Sequence, residues 1–145
     1  MEHEQALAVH ERATIEAFVV RERQARLLQF LGKARTRRKF TAGLGHFSWF
    51  DRRFAAEIPW KTDAGRKLWE RHVQGIENIY SLLKSKGADE ECWVMSEDRE
   101  IDGQHLDLRT ALDQAIGNGM GSILSVLPGK LALYVGEDET LLLSK

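Results

Sequence analysis

The sequence predicts an α+β fold: N-terminal helices packed on a small, mostly antiparallel C-terminal sheet with one inserted helix. Three observations carry that expectation. Gly119 to Val135 holds two apolar runs of strand length, Ile123–Leu127 and Leu131–Val135, joined at Pro128-Gly129 and bounded by glycines. Residues 63–86 and 108–116 instead space their apolar side chains at three and four residues, the period of an amphipathic helix. Two or three strands are marginal alone in water, so the sheet needs the helices as cover.

The elements follow in order. From about Glu4 to Leu31 the pattern is mainly helical, with Ile15, Phe18, Val19, Leu27, Leu28 and Leu31 on compatible spacing. The β-branched pair Val19-Val20 marks a candidate break, and Gly32 a stop. A short helix over Lys33–Thr41 comes next. Residues 42–61 read as irregular, since Gly43 and Gly45 punctuate and Pro59 disfavours helix at Ile58. Phe47, Trp49, Phe50, Phe54 and Trp60 gather there, which makes this a packed connection and not a domain boundary.

Thr62 or Asp63 can cap a long helix that reaches Lys86 and stops at Gly87. Its stripe of Leu68, Val73, Ile76, Tyr80 and Leu83 is expected to pack across the sheet, with all the helices on one sheet face. Cys92–Met95 reads as a strand, followed by a polar segment with a turn at Asp102-Gly103. Asp107 is the expected N-cap of a helix carrying Leu108, Ala111, Leu112, Ala115 and Ile116, ended by Gly117-Asn118-Gly119. Pro128-Gly129 suits a type II turn, because Pro pre-sets φ and Gly accepts a positive value. Leu141–Leu143, after the turn-like Gly136–Glu139, completes a meander.

The chain of 145 residues is 43% hydrophobic and 30% charged, values of one globular domain over 1–145. Its single cysteine, Cys92, forms no intramolecular disulfide and suits a reducing compartment. The N-terminus lacks the pattern of a signal peptide, and the most apolar window is interrupted by Pro128 and Lys130. A soluble, cytoplasmic protein without a membrane partner is expected. Charge is unevenly placed. Residues 1–72 hold 15 Lys/Arg against 9 Asp/Glu, net +6, and residues 73–145 hold 6 against 13, net −7. This asymmetry can steer a polyanion, or it can pair the two halves or two copies of the chain. Pairing of the halves or of two copies is the preferred of these readings; separately, the length of the amphipathic N-terminal helix suggests a protruding arm for a homodimer.

The series Ser96–Gly103, then Gly119-Met120-Gly121-Ser122, then Pro128–Ala132 resembles a family of small bacterial proteins with no assigned activity. A weaker similarity extends through Arg35–Phe40. The resemblance implies a small bacterial cytoplasmic protein and supplies no catalytic residue or cofactor.

Two constellations suggest chemistry. Glu97, Asp98, Glu100 and Asp102 lie just past a predicted strand, where carboxylates can converge on Mg²⁺ or Ca²⁺ with His105 nearby as an acid or base. The plainer reading is a solvated turn: the EF-hand spacing is absent, and alternate residues of an extended segment face opposite ways. The basic segment supplies Lys33, Arg35, Arg37, Arg38 and Lys39, to which Arg52 and Arg53 add. With Trp49 or Trp60 as stacking surfaces it suits single-stranded nucleic acid. Its plainer reading is a solvated basic face that meets the acidic half.

Other templates fail. Gly117–Ser122 leaves a helix and enters a strand, the reverse of a phosphate loop. His3-Glu4 and His10-Glu11 begin HExxH-like patterns that end at Leu7 and Thr14. His46, Ser48 and Asp51 are near neighbours in sequence, which says little about triad geometry. Cys92 sits in an apolar strand as an inert thiol, and His72 is a packed or boundary residue. The expectation is therefore a non-catalytic interaction or regulatory domain with a protein partner or self-association. The alternatives are a nucleic-acid binder using residues 33–39 and a metal-assisted hydrolase centred on residues 97–102; no cofactor is predicted beyond that divalent cation.

Overall fold

The fold is α+β, seen in a computed structural model that describes residues 2–58, 68–117 and 119–145, with side chains in the first and fourth helices from Val9 and His72 onward. Helices α1 (Glu2–Phe18), α2 (Arg21–Leu31) and α3 (Ala34–Thr41) come first, then a 3₁₀ turn (Leu44–His46) and strand β1 (Ala55–Glu57). Helix α4 (Leu68–Ser85) leads to β2 (Glu91–Ser96) and β3 (His105–Asp107). Helix α5 (Leu108–Ala115) precedes β4 (Ser122–Leu127), β5 (Leu131–Val135) and β6 (Thr140–Ser144). The six strands form one antiparallel sheet in the order β1-β6-β5-β4-β2-β3.

The helices cover both faces of this sheet, which corrects the expectation of a single covered face. Alternate residues of each strand serve two cores. Cys92, Val94, Leu124, Val126, Leu133 and Leu142 join Ile76, Ile79 and Leu83 of α4 and Leu108 and Leu112 of α5. Trp93, Met95, Ile123, Tyr134, Leu141 and Leu143 join Ile15 and Phe18 of α1, Leu27 of α2 and Phe40 of α3. With neither face left to water, all of β5 is buried, and its sequence shows no polar alternation.

The break after α1 falls at Val19-Val20, as the β-branched pair suggests. There the chain turns extended: Val19 pairs with Phe50, the Val20 N–H donates to the Trp49 carbonyl at 2.8 Å, and the Asp51 N–H donates to the Phe18 carbonyl at 2.7 Å. Helix α1 does not stand free as a dimer arm, since it lies on the sheet with Ile15 and Phe18 fully buried. The connection 42–58 is packed, as its aromatics imply. The Tyr134 hydroxyl donates to the Leu44 carbonyl at 2.6 Å and accepts from the Phe47 N–H at 3.2 Å, with Phe47 edge-on to Phe50 and Phe50 tilted against Tyr134.

Asp107 caps α5 by accepting from the Thr110 N–H. The Pro128-Gly129 turn closes through the Lys130 N–H on the Leu127 carbonyl, with Gly129 at φ +71°, the value that a type II turn asks of that position. Val73 is an exception to the predicted α4 stripe: it is 51% exposed, and Ile79 takes the buried position. Strands β1 and β3 were not predicted; each is three residues long and polar or alanine-rich. The expected cap at Thr62 or Asp63, Trp60, and the side chains of His3, Glu4 and Leu68 lie outside the described residues.

Candidate functional site

Helices α2 and α3 pack as a hairpin, and their outer surface carries the densest positive charge. Arg21, Arg23, Arg26, Lys33, Arg35, Arg38 and Lys39 are all exposed along the hairpin, with Glu22 exposed among them. Among the described residues, none of these seven has a carboxylate within ion-pair distance, whereas Arg12, Arg37, Arg52, Arg53, Lys84 and Arg109 do. Four of the seven come from the predicted segment. Arg21, Arg23 and Arg26 were missed, although RERQAR places three arginines within six residues of a helical pattern.

Arg37 leaves this surface and turns inward. Its Nε and Nη2 reach Glu11 of α1 at 2.8 and 2.7 Å, and its Nη1 and Nη2 reach Asp102 at 2.5 and 2.9 Å. Glu11 is 2% exposed and also accepts from the Trp93 indole N–H at 2.9 Å; Asp102 also accepts from the Ser96 N–H. Burial alone lowers the pKa of Arg37, but the hydrogen bonds to Glu11 and Asp102 outweigh it and hold the guanidinium above its ordinary value. This node ties α1, α3, β2 and the β2–β3 loop together. The predicted binding residue Arg37 and the predicted metal ligand Asp102 are thus partners of each other.

Arg52 and Arg53 also stand apart from the hairpin's free charge. Arg52 pairs with Glu139 at 3.2 Å and Arg53 with Asp51 at 2.7 Å. His46 meets Glu137 at 2.7 Å while Asp51 faces Arg53, so the structure does not assemble these residues and Ser48 as a triad.

The four loop carboxylates are not brought together. Asp102 faces Arg37, Glu97 accepts from the Gly121 N–H at 2.6 Å, Asp98 accepts from the Glu100 N–H, and Glu100 is exposed. Among the described residues, no three His, Cys, Asp or Glu side chains come together as ligands for a metal ion. The loop and α3 enclose a cleft of about 380 Å³ lined by Arg38, Thr41, Ser96, Glu97, Arg99 and Asp102. Gly121, the partner of Glu97, has no room for a side chain: a Cβ there would stand 2.2 Å from the Gly45 nitrogen and the Leu44 carbonyl carbon.

A second cluster was invisible in the sequence, because His10 is at least 83 positions from its other members, Trp93, His105 and Ser125. His10 Nδ1 lies 2.8 Å from the Ser125 hydroxyl, its ring stacks over Trp93, and His105 meets both rings edge-on. These imidazoles share an open pocket of about 420 Å³ with Asp89, Glu90 and Glu91. Burial, and then the charge of His105, keep the His10 pKa below its ordinary value. Ser125 is fully buried, which keeps its hydroxyl from any substrate. Cys92 is buried too, and burial ahead of Asp107 and Glu91 pushes its thiol up to about 12, so little thiolate forms near neutrality.

Fold and surface together give an α+β architecture with a buried Arg37 node, an open pocket at His10 and His105, and exposed cations along α2 and α3. No protein-family model, curated protein or solved structure matches this chain. No described helix is long and apolar enough to cross a membrane.

Proposed function

We propose that this chain is a non-catalytic interaction domain that takes a polyanionic partner on the α2–α3 face. One observation carries this reading: seven exposed cations share one helical hairpin with no acidic partner among the described residues. Uncompensated like charges repel one another, and a polymeric anion relieves that repulsion while releasing its own counterions. Further support comes from the interior. Ser125 and Cys92 are buried, and Glu97, Asp98 and Asp102 each have a separate hydrogen-bond partner.

The test is fluorescence anisotropy of labelled heparin oligosaccharides and oligonucleotides across a salt series. Affinity should fall with a log–log slope of several units, and Arg35→Ala/Arg38→Ala/Lys39→Ala should reduce that slope by about 3. Absence of binding at low salt, or full binding by the triple variant, rejects the reading. Asp89, Glu90 and Glu91 would give a second copy of the chain an acidic surface to offer. Sedimentation velocity over the same salt range therefore separates self-association from capture of a different polyanion.

A further inference from the structure

Two of the seven cations are more than bare charges. The Arg23 guanidinium lies over the Trp49 indole, with Cζ 3.9 Å from the ring centroid. Arg26, three residues along the same helix, has its Cζ 5.3 Å from the Phe30 ring centroid. Three residues correspond to a rise of about 4.5 Å, so the two pairs are neighbours on one side of α2. A guanidinium resting on an aromatic ring is a flat cation with a defined orientation, and its outer plane is left to whatever approaches from solvent. Both arginines are exposed and Trp49 retains 39% of its surface.

That arrangement discriminates among polyanions. A sulfated sugar polymer or an acidic protein surface finds only charge in it. A nucleobase finds a stacking plane as well, since bases stack on aromatic rings and on arginine planes alike. In a duplex the base faces are already stacked on one another, so only an unpaired strand presents bases and phosphates together. Trp49 also belongs to the connection that pairs with the α1–α2 break, through the Val20 N–H on its carbonyl. The ring is therefore held beside α2 by backbone, and does not swing on a free loop.

Resting on the reading of α2–α3 as a polyanion-binding face, we infer that its partner is single-stranded nucleic acid. Its phosphates meet Lys33, Arg35, Arg38 and Lys39, and its bases stack on the Arg23–Trp49 and Arg26–Phe30 pairs.

The experiment compares a labelled oligo(dT) strand, an abasic strand with the same number of phosphates, a duplex of that length and heparin. Each is titrated with the natural chain and with Arg23→Lys/Arg26→Lys, which keeps both charges and removes both planes. The oligo(dT) strand should bind about tenfold tighter than the abasic strand, and the lysine variant should lose about that factor on oligo(dT) alone. The inference is overturned if the abasic strand or the duplex binds as tightly as oligo(dT), or if the lysine variant holds oligo(dT) undiminished. Heparin binding that persists in either case leaves the polyanion reading standing. Failure of every probe at low salt removes both.

Discussion

Replacing Arg37 by Met takes the only cation among the described residues from a node that buries two carboxylates. The side chain of Glu11 is 3% exposed and that of Asp102 17%, so neither is well placed to recover hydration. Without the guanidinium, Glu11 keeps a single donor among the described residues, the Trp93 indole, and Asp102 keeps the Ser96 N–H. Leaving a buried charge without its partner costs about 3–5 kcal/mol, far more than the net worth of an intact pair. For a chain of this length that lowers the melting temperature by on the order of 10 °C. Glu11→Gln should cost less, about 1–2 kcal/mol, because Arg37 retains Asp102. In the Glu11→Gln background the Arg37→Met penalty should shrink, since the most buried charge is already gone. Urea unfolding followed by circular dichroism and tryptophan fluorescence gives all four corners of this cycle. An Arg37→Met variant within about 1 kcal/mol of the natural chain would refute the argument, as would a penalty unchanged by Glu11→Gln.

Gly121→Ala should destabilise by about 3 kcal/mol, because its new methyl would meet the backbone of Leu44 and Gly45, which the Tyr134 hydroxyl holds in place. A normal urea midpoint for that variant would mean the 3₁₀ turn yields freely. His10 faces Ser125, Trp93 and His105, with Asp89, Glu90 and Glu91 around the same pocket, and its folded pKa lies below the ordinary value. The unfolded chain then takes up the proton first, so stability should be lost as pH falls below about 6.5 and through the folded pKa. His10→Gln should flatten that decline, and an identical pH profile for the two proteins would count against a role for His10.

How much of this was legible in the sequence depended on the range of the interactions. The N-cap at Asp107, the break at Val19-Val20 and the turn at Pro128-Gly129 each carry a local signal, although the break is also held by pairing with Trp49–Asp51. The two-sided burial of the sheet was written in the unbroken run Leu131–Val135, since a half-exposed antiparallel strand alternates with polar residues and this one does not. Strands β1 and β3 carried no apolar signal because their pairing is set by neighbours, β6 and β2, that are already in place. The candidate site divided in the same way. Charge density in residues 33–39 was visible, but which cation turns inward was not, because Glu11 and Asp102 are 26 and 65 positions from Arg37. The His10–Ser125 contact spans 115 positions and left no local trace.

The uneven charge of the chain therefore has two separable parts. Arg37–Asp102 and Arg52–Glu139 join the basic half to the acidic half, and in both the chain's long-range complementarity is consumed by its own fold. The remaining cations of α2 and α3 contribute nothing comparable to folding, for they have no acidic partner among the described residues and lie outside both cores. Exposed like charges on adjacent helical turns are, if anything, mildly destabilising to the helix that carries them. Neutralising Lys33, Arg35, Arg38 and Lys39 should thus leave the urea midpoint unchanged or raise it, while neutralising Arg37 lowers it. The proposed binding and the stability thus fall to different members of one five-cation segment, and it is this separation that lets the proposed surface be tested without unfolding the domain.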